Sequence, residues 1–212
     1  MINLLHIDCM EYMAGLEDNA FDLAIVDPPY GGNDALDVRN GNKHNGNRNN
    51  YKQFENIPPE EKYFSELKRV SRNQIIWGVN FYKTTMLTGG RIVWNKKAGH
   101  KSIFGTCEIA YFSNSMSCAY IEINWNGYWQ DNMSNKEIRI HPTQKPVKLY
   151  EWLLTNYAKP GQRILDTHLG SGSSAIAAHY YGCDFVGCEL DEDYYNAACD
   201  RFDMATRQVA LL

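Results

Sequence analysis

The sequence predicts an α/β fold, a single doubly wound and mostly parallel sheet. Three observations carry that expectation. Short apolar runs alternate with segments of helical period along the chain, one run enters a Gly-rich turn that leads straight into a helix, and an acid, Glu189, ends the next run nineteen residues after Gly170. The 212 residues, 44% hydrophobic and 22% charged, suffice for one full core, so we expect one domain over residues 1–212.

The elements follow in order. Residues 3–7 read as a strand, residues 10–15 as a short helix, and Phe21-Asp22-Leu23-Ala24-Ile25-Val26 as a buried strand. Residues 31–57 are expected to form a mobile loop, because the first twenty of them hold seven Asn and four Gly and cannot build a core. Pro58-Pro59-Glu60-Glu61 then opens a helix whose apolar Tyr63, Phe64, Leu67 and Val70 share one face. Strands are predicted at 74–77, 91–95 and 108–112, whereas 113–136 is aromatic and Asn-rich and suggests no element. A helix begins near Pro146, with Val147, Tyr150, Leu153, Leu154 and Tyr157 at helical spacing, and Lys159-Pro160-Gly161 ends it. The strand 163–166, the helix 173–181 and the strand 184–188 complete the pattern.

Charge and cysteine content narrow the function classes. The net charge of -4 is unevenly spread: Arg39, Lys43, Arg48 and Lys52 lie in a stretch without acids, Lys96, Lys97 and Lys101 form a second basic group, and acids gather at 184–203. Those seven basic residues are candidate contacts for the phosphates of a nucleic acid. The six cysteines include no C-x-x-C pair, which suggests neither a metal site nor a disulfide framework, and most are expected to be small core residues. No run is long and apolar enough to span a membrane, and the first residues lack the pattern of a secretory signal, so a cytoplasmic location is expected. Trp94, Trp125, Trp129 and Trp152 are read as packing residues.

Two motifs carry chemistry. Asp27-Pro28-Pro29-Tyr30 stands at the exit of the buried strand and joins a carboxylate, carbonyls without amide donors and an aromatic ring. That set suits a flat, amine-bearing ring: the amine would donate to Asp27 and the Pro28 carbonyl, and the ring would stack on Tyr30. The second motif is Asp166-Thr167-His168-Leu169-Gly170-Ser171-Gly172-Ser173, a Gly-rich turn at a helix start, with Glu189 at the distance that suits ribose hydroxyls. Gly170-x-Gly172-x-x-Ala175 also satisfies a dinucleotide fingerprint, but Asp166 is an anion ill suited to a pyrophosphate and could instead face an ammonium.

Together these motifs resemble the amino-methylating DNA methyltransferases, and His141-Pro142-Thr143-Gln144-Lys145-Pro146 before the Gly-rich turn is similar to their β group, which is circularly permuted with the catalytic tetrapeptide first. Residues 75–81, 91–96 and 107–111 resemble the strands of that group's catalytic half. His168 and Leu169 stand where many members carry Pro and Phe, a variant similar to a phage or prophage branch.

The resemblance implies a class I methyltransferase fold and S-adenosylmethionine as donor. It implies a donor pocket of Asp166, His168, Gly170, Ser171 and Gly172, with Glu189 on the ribose, Asp8 and the Cys9 amide on the adenine, and Thr143 and Lys145 near the methionine carboxylate. Asp8 alternatively caps the helix that follows it. Double-stranded DNA is the implied partner, residues 96–139 the candidate target-recognition region, and a homodimer would extend the reading surface. The initial Asp of the tetrapeptide favours adenine-N6 as the target of direct transfer to a flipped base, with no metal. Cytosine-N4, an RNA or protein-glutamine acceptor, and a silent nucleic-acid-binding relic are the alternatives.

Overall fold

The computed structural model describes residues 1–31, 52, 56–98, 105–126 and 129–207. Its strands are β1 (Ile2–His6), β2 (Phe21–Val26), β3 (Ser71–Trp77), β4 (Gly90–Asn95), β5 (Cys107–Phe112), β6 (Cys118–Glu122), β7 (Trp125–Asn126), β8 (Trp129–Gln130), β9 (Arg163–Asp166) and β10 (Asp184–Glu189). The helices are α1 (Cys9–Ala14), α2 (Glu61–Val70), α3 (Val147–Tyr157), α4 (Ser173–Tyr181) and α5 (Glu192–Arg207), with a 3-10 turn at Val79–Phe81.

Eight strands form one sheet in the order β1-β10-β9-β2-β3-β5-β4-β6, and β7 and β8 make a separate two-stranded ribbon. Every ladder in the large sheet is parallel except the two that β5 makes, with β3 and with β4. The reversed strand of this mostly parallel sheet is therefore β5, two places in from the edge. This is the α/β, doubly wound, Rossmann-like architecture that the sequence predicts.

Strand composition explains the two layers. β3 sends Ile75 and Trp77 to one core and Ile76 to the other, because side chains alternate across a strand and a sheet covered on both faces must be apolar on both. One core gathers α3 and α4 around Leu149, Leu153, Ala175 and Ala178, and the other gathers α1 and α2 around Met13, Phe64 and Leu67. All four stripe residues of α2 are buried, as their spacing predicts.

Several expectations need correction. β3 begins at Ser71, directly after α2, where the Ser71 hydroxyl donates to the Leu67 carbonyl and closes the helix end. Residues 113–136 do hold structure: β6 runs parallel to β4, and β7 pairs with β8. Trp94 and Trp125 are buried, and Trp129 is 57% exposed. Of the cysteines only Cys183 and Cys188 are buried, while Cys107 and Cys118 are exposed, so most are not core residues. No helix among the described residues is long and apolar enough to cross a membrane.

Candidate active site

Register brings the two motifs together. β2 pairs in parallel with β9 through Leu23 with Ile164 and Ala24 with Leu165, so the tetrapeptide after β2 and the Gly-rich turn after β9 leave the sheet at the same end. β10 lies beyond β9 and β1 beyond β10, with His6 opposite Glu189, which brings Asp8 and Glu189 to that end as well.

At the first centre Asp27 is already engaged. Its Oδ1 accepts from the Tyr30 hydroxyl and its Oδ2 from the Lys145 ammonium, which also lies 3.0 Å from the Tyr30 oxygen and 3.0 Å from Glu108 Oε2. The other Glu108 oxygen takes Lys96 at 2.6 Å. Two carboxylates and two ammonium groups thus balance in a partly buried cluster with Lys145 at its deepest point. Burial raises the Asp27 carboxyl above its ordinary range against the pull of Lys145, and Glu108 adds to the rise. Glu108 is held down at about 2: burial opposes this, but the two lysines outweigh it. Burial alone would lower Lys145, yet the two carboxylates raise it, so it stays charged.

Lys145 sits with Asp27 and Glu108. Only its carbonyl reaches the Gly-rich turn, accepting from the Ser173 hydroxyl at 2.8 Å. The Pro28 carbonyl accepts from the Tyr82 hydroxyl at 3.0 Å and keeps a lone pair for another donor. Pro29 only sets the backbone of the turn. The Tyr30 ring lies parallel to the half-exposed Phe81 ring, with centroids 5.0 Å apart and planes at 10°, the arrangement a planar base would adopt. A side chain at Gly78 would meet that ring: a Cβ there falls 2.1 Å from Tyr30 Cε1, and the φ of 76° is one that glycine tolerates.

At the second centre Asp166 turns inward. Its oxygens accept from the Ser174 hydroxyl at 2.6 Å and the His168 amide at 3.0 Å, so it ties the turn to α4. Burial pushes it up to about 7. Burial pushes the His168 ring down to about 4, and its Nδ1 lies 2.9 Å from the Thr167 hydroxyl, which meets Tyr63 at 2.6 Å. Gly170 donates its amide to Glu189 Oε2 at 2.8 Å, and Glu189 Oε1 takes the Asp191 amide. Gly170 and Gly172 both have positive φ. Arg201 of α5 donates to the Ser171 carbonyl at 2.7 Å and to the Ser173 hydroxyl at 2.9 Å.

Asp8 is the N-cap of α1, accepting through Oδ1 from Met10 and Glu11, which leaves its second oxygen uncommitted in these bonds. The Cys9 thiol is pushed up to about 12, chiefly by burial and then by Asp8. Exposed Thr143 engages His141, whose ring is 3.7 Å from where a Gly170 Cβ would stand and packs edge-on against Tyr194. Acids at the ends of adjacent strands, Glu189 closing β10 and Asp8 following β1, beside a tight Gly-rich turn form a set of acceptors suited to the hydroxyls of a ribose and the amine of an adenine. The residues present therefore fit S-adenosylmethionine.

Of the basic residues, Arg39, Lys43, Arg48 and Lys101 lie outside the described residues. Lys52 pairs with Asp191 at 2.8 Å and Asp193 at 2.6 Å, and Lys96 pairs with Glu108 at 2.6 Å. Half-exposed Lys97 lies 3.5 Å from Glu122. Sequence reasoning missed Glu108, Phe81, Tyr82 and Arg201. The one signal available was Glu108 in an otherwise apolar strand, since an acid in that setting must find a partner.

A Rossmann-like sheet that sets an acid-proline-aromatic turn beside a Gly-rich turn defines a methyltransferase of the amino-methylating class. The chain belongs to the N6/N4 DNA methylase family, whose sequence model matches residues 92–200. It is 28% identical to YubD of Escherichia coli (strain K12), over 98% of this chain and 92% of that protein. Among solved structures it resembles the M1.HpyAVI–SAM complex, with a TM-score of 0.57, 20% identity, and 95% of this chain and 100% of that one covered. It also resembles the cytosine-N4-specific PvuII DNA methyltransferase, with a TM-score of 0.63, 14% identity, and 95% and 86% covered. The protein is an S-adenosylmethionine-dependent DNA methyltransferase.

Proposed function

We propose that this methyltransferase modifies the exocyclic N6 amine of adenine in double-stranded DNA. We read it as one domain over residues 1–212, with the permuted order of the β group and residues 96–139 meeting the target sequence. The observation that carries this reading is Asp27 beside the Pro28 carbonyl, at the same sheet end as the Gly-rich turn. Two acceptors spaced along one turn match the two hydrogens of an amine.

S-adenosylmethionine supplies a methyl group made electrophilic by its sulfonium. The chain's own residues do the rest. Asp27 and the Pro28 carbonyl draw on the amine hydrogens and favour a tetrahedral nitrogen with a free lone pair. Tyr30 offers a stacking face to the extruded base once Phe81 yields it, offsetting about 1 to 3 kcal/mol of unstacking. Glu189 and Asp8 hold the ribose and adenine of the donor, with Gly170 and Gly172 bringing backbone close to it. Positioning and electrostatics then provide most of the acceleration, without a covalent intermediate.

Arg39, Lys43, Arg48 and Lys101 are assigned to phosphates, each contact adding about 0.9 to the salt slope. Nucleoside mass spectrometry, with modification-detecting sequencing of DNA from an expressing host, tests the reading. N6-methyladenine in a defined motif supports it, and N4-methylcytosine alone overturns the adenine assignment.

A further inference from the structure

We propose that Glu108 on β5 is a positioning residue that gives the Lys145 ammonium a second seat, so that Lys145 can leave Asp27 as the target amine arrives. The proposal rests on the reading of Asp27 as the amine's acceptor, but not on which base carries the amine.

The geometry sets a competition. Tyr30 donates to Asp27 Oδ1 and the Lys145 ammonium to Oδ2, so an entering amine meets a carboxylate whose charge is already drawn by a buried cation and a hydroxyl and must compete with them for it. The ammonium has three hydrogens and three partners: Asp27, Glu108 and the Tyr30 hydroxyl. Lys145 is 4% exposed, and an ammonium released from Asp27 at that depth without a partner would be prohibitively costly. Glu108 removes that obstacle. It is itself fixed, because Lys96 holds its Oε1 at 2.6 Å while Oε2 faces Lys145. The ammonium can thus shift from Asp27 toward Glu108 without leaving the cluster. Lys145 in turn keeps Asp27 ionised until the exchange.

The groups that face Asp27 are Tyr30 in its own turn, Tyr82 after the 3-10 turn, Glu108 on β5, Lys145 before α3, Tyr63 on α2, Tyr150 on α3 and Asp166 on β9. Lys145 is the cation among them, and Lys96 on β4 reaches the cluster through Glu108. Removing the Glu108 charge therefore takes away a like charge that raises Asp27, which makes it more acidic and binds Lys145 to it more firmly.

Single-turnover methyl transfer at saturating donor, followed against pH, tests this with Glu108→Gln, Glu108→Asp and Lys145→Met. Glu108→Gln should lower the plateau rate about tenfold, the scale of a lost charged hydrogen bond, and move the acid limb down by about 1 pH unit. Lys145→Met should move the limb up, and Glu108→Asp should keep it near its wild-type position. Thermal melting and donor calorimetry confirm that each variant is folded. A limb that stays put or moves up in Glu108→Gln, or an undiminished plateau, overturns the proposal. A carbon-13 titration of the Asp27 carboxyl needs no turnover. If the wild-type protein methylates no DNA, the functional reading fails, while an Asp27 midpoint that is lower in Glu108→Gln than in wild type still supports Glu108's role and an unchanged one removes it.

Discussion

Arg201, near the middle of α5, holds the carbonyl oxygen of Ser171 at 2.7 Å, so an element late in the chain fixes the turn between β9 and α4. The same guanidinium donates to Glu137 at 2.6 Å, and Glu137 accepts the Val147 amide at the start of α3. A buried cation thereby links the Gly-rich turn to the segment that carries Lys145. Burial lowers its pKa and Glu137 opposes that fall.

Arg201→Met should therefore loosen the turn and strand Glu137. We expect a loss of about 2 to 3 kcal/mol by urea denaturation, below the full cost of a broken buried pair because Glu137 keeps 26% side-chain exposure. Donor affinity should weaken several-fold in calorimetry. Unchanged affinity with reduced stability would limit Arg201 to the core.

Gly78→Ala places a methyl group 2.1 Å from Tyr30 Cε1, on a backbone with a φ of 76°. The left-handed conformation alone costs about 1 kcal/mol, and the ring must move as well. Turnover should collapse while donor binding persists, because Gly78 touches the first centre and not the Gly-rich turn. Near-normal turnover in Gly78→Ala would show that the ring's present position is not needed.

How much of this was legible depends on the range of each contact. The Asp27 turn and the Gly-rich turn are local signals, written in consecutive residues, and the strand ladders set them side by side. Glu108 and Lys145 meet Asp27 only because β5 runs backward beside β3 and because α3 follows the segment ending at Pro146. Sequence shows that Lys96 and Lys145 are charged but not that partners await them, so their charge alone suggests outward or ligand-facing side chains. The inward turn of Asp166 depends on Ser174, eight residues on, a contact made only once α4 is in place.

The Tyr30 hydroxyl gives a prediction that differs from one based on stacking alone. The ring by itself would make Tyr30→Phe nearly silent. Here the hydroxyl donates to Asp27, so its loss should slow single-turnover transfer by about five- to tenfold, matching a hydrogen bond of about 1 kcal/mol. Asp27→Ala should reduce transfer by orders of magnitude with little effect on donor affinity. Wild-type turnover by Asp27→Ala would remove this centre from the mechanism.

Asp166 and His168 make opposing contributions to stability against pH. Asp166, raised to about 7 in the fold, keeps its proton where an unfolded chain loses it at about 3.9, so its contribution falls as pH rises through that window. His168, lowered to about 4, stays neutral where an unfolded histidine is charged below about 6.5, so its contribution falls as pH drops through that window. Between about pH 4 and 6.5 the folded state has gained one proton at Asp166 and given one up at His168, and the two slopes cancel. Substituting one residue should expose the other. Relative to wild type, Asp166→Asn should gain stability as pH rises from about 4 to 7, by up to about 1.4 kcal/mol per pH unit, and keep that gain at pH 8. Its Asn oxygen can still accept the His168 amide, and its amide can donate to Ser174. His168→Leu should show the reverse, gaining relative to wild type as pH falls from about 6.5 to 4. Urea denaturation of the three proteins at half-unit pH steps reads these differences directly. Parallel curves for wild type and Asp166→Asn across that range would show that Asp166 is ionised in the fold and that its bonds to Ser174 and His168 outweigh its burial.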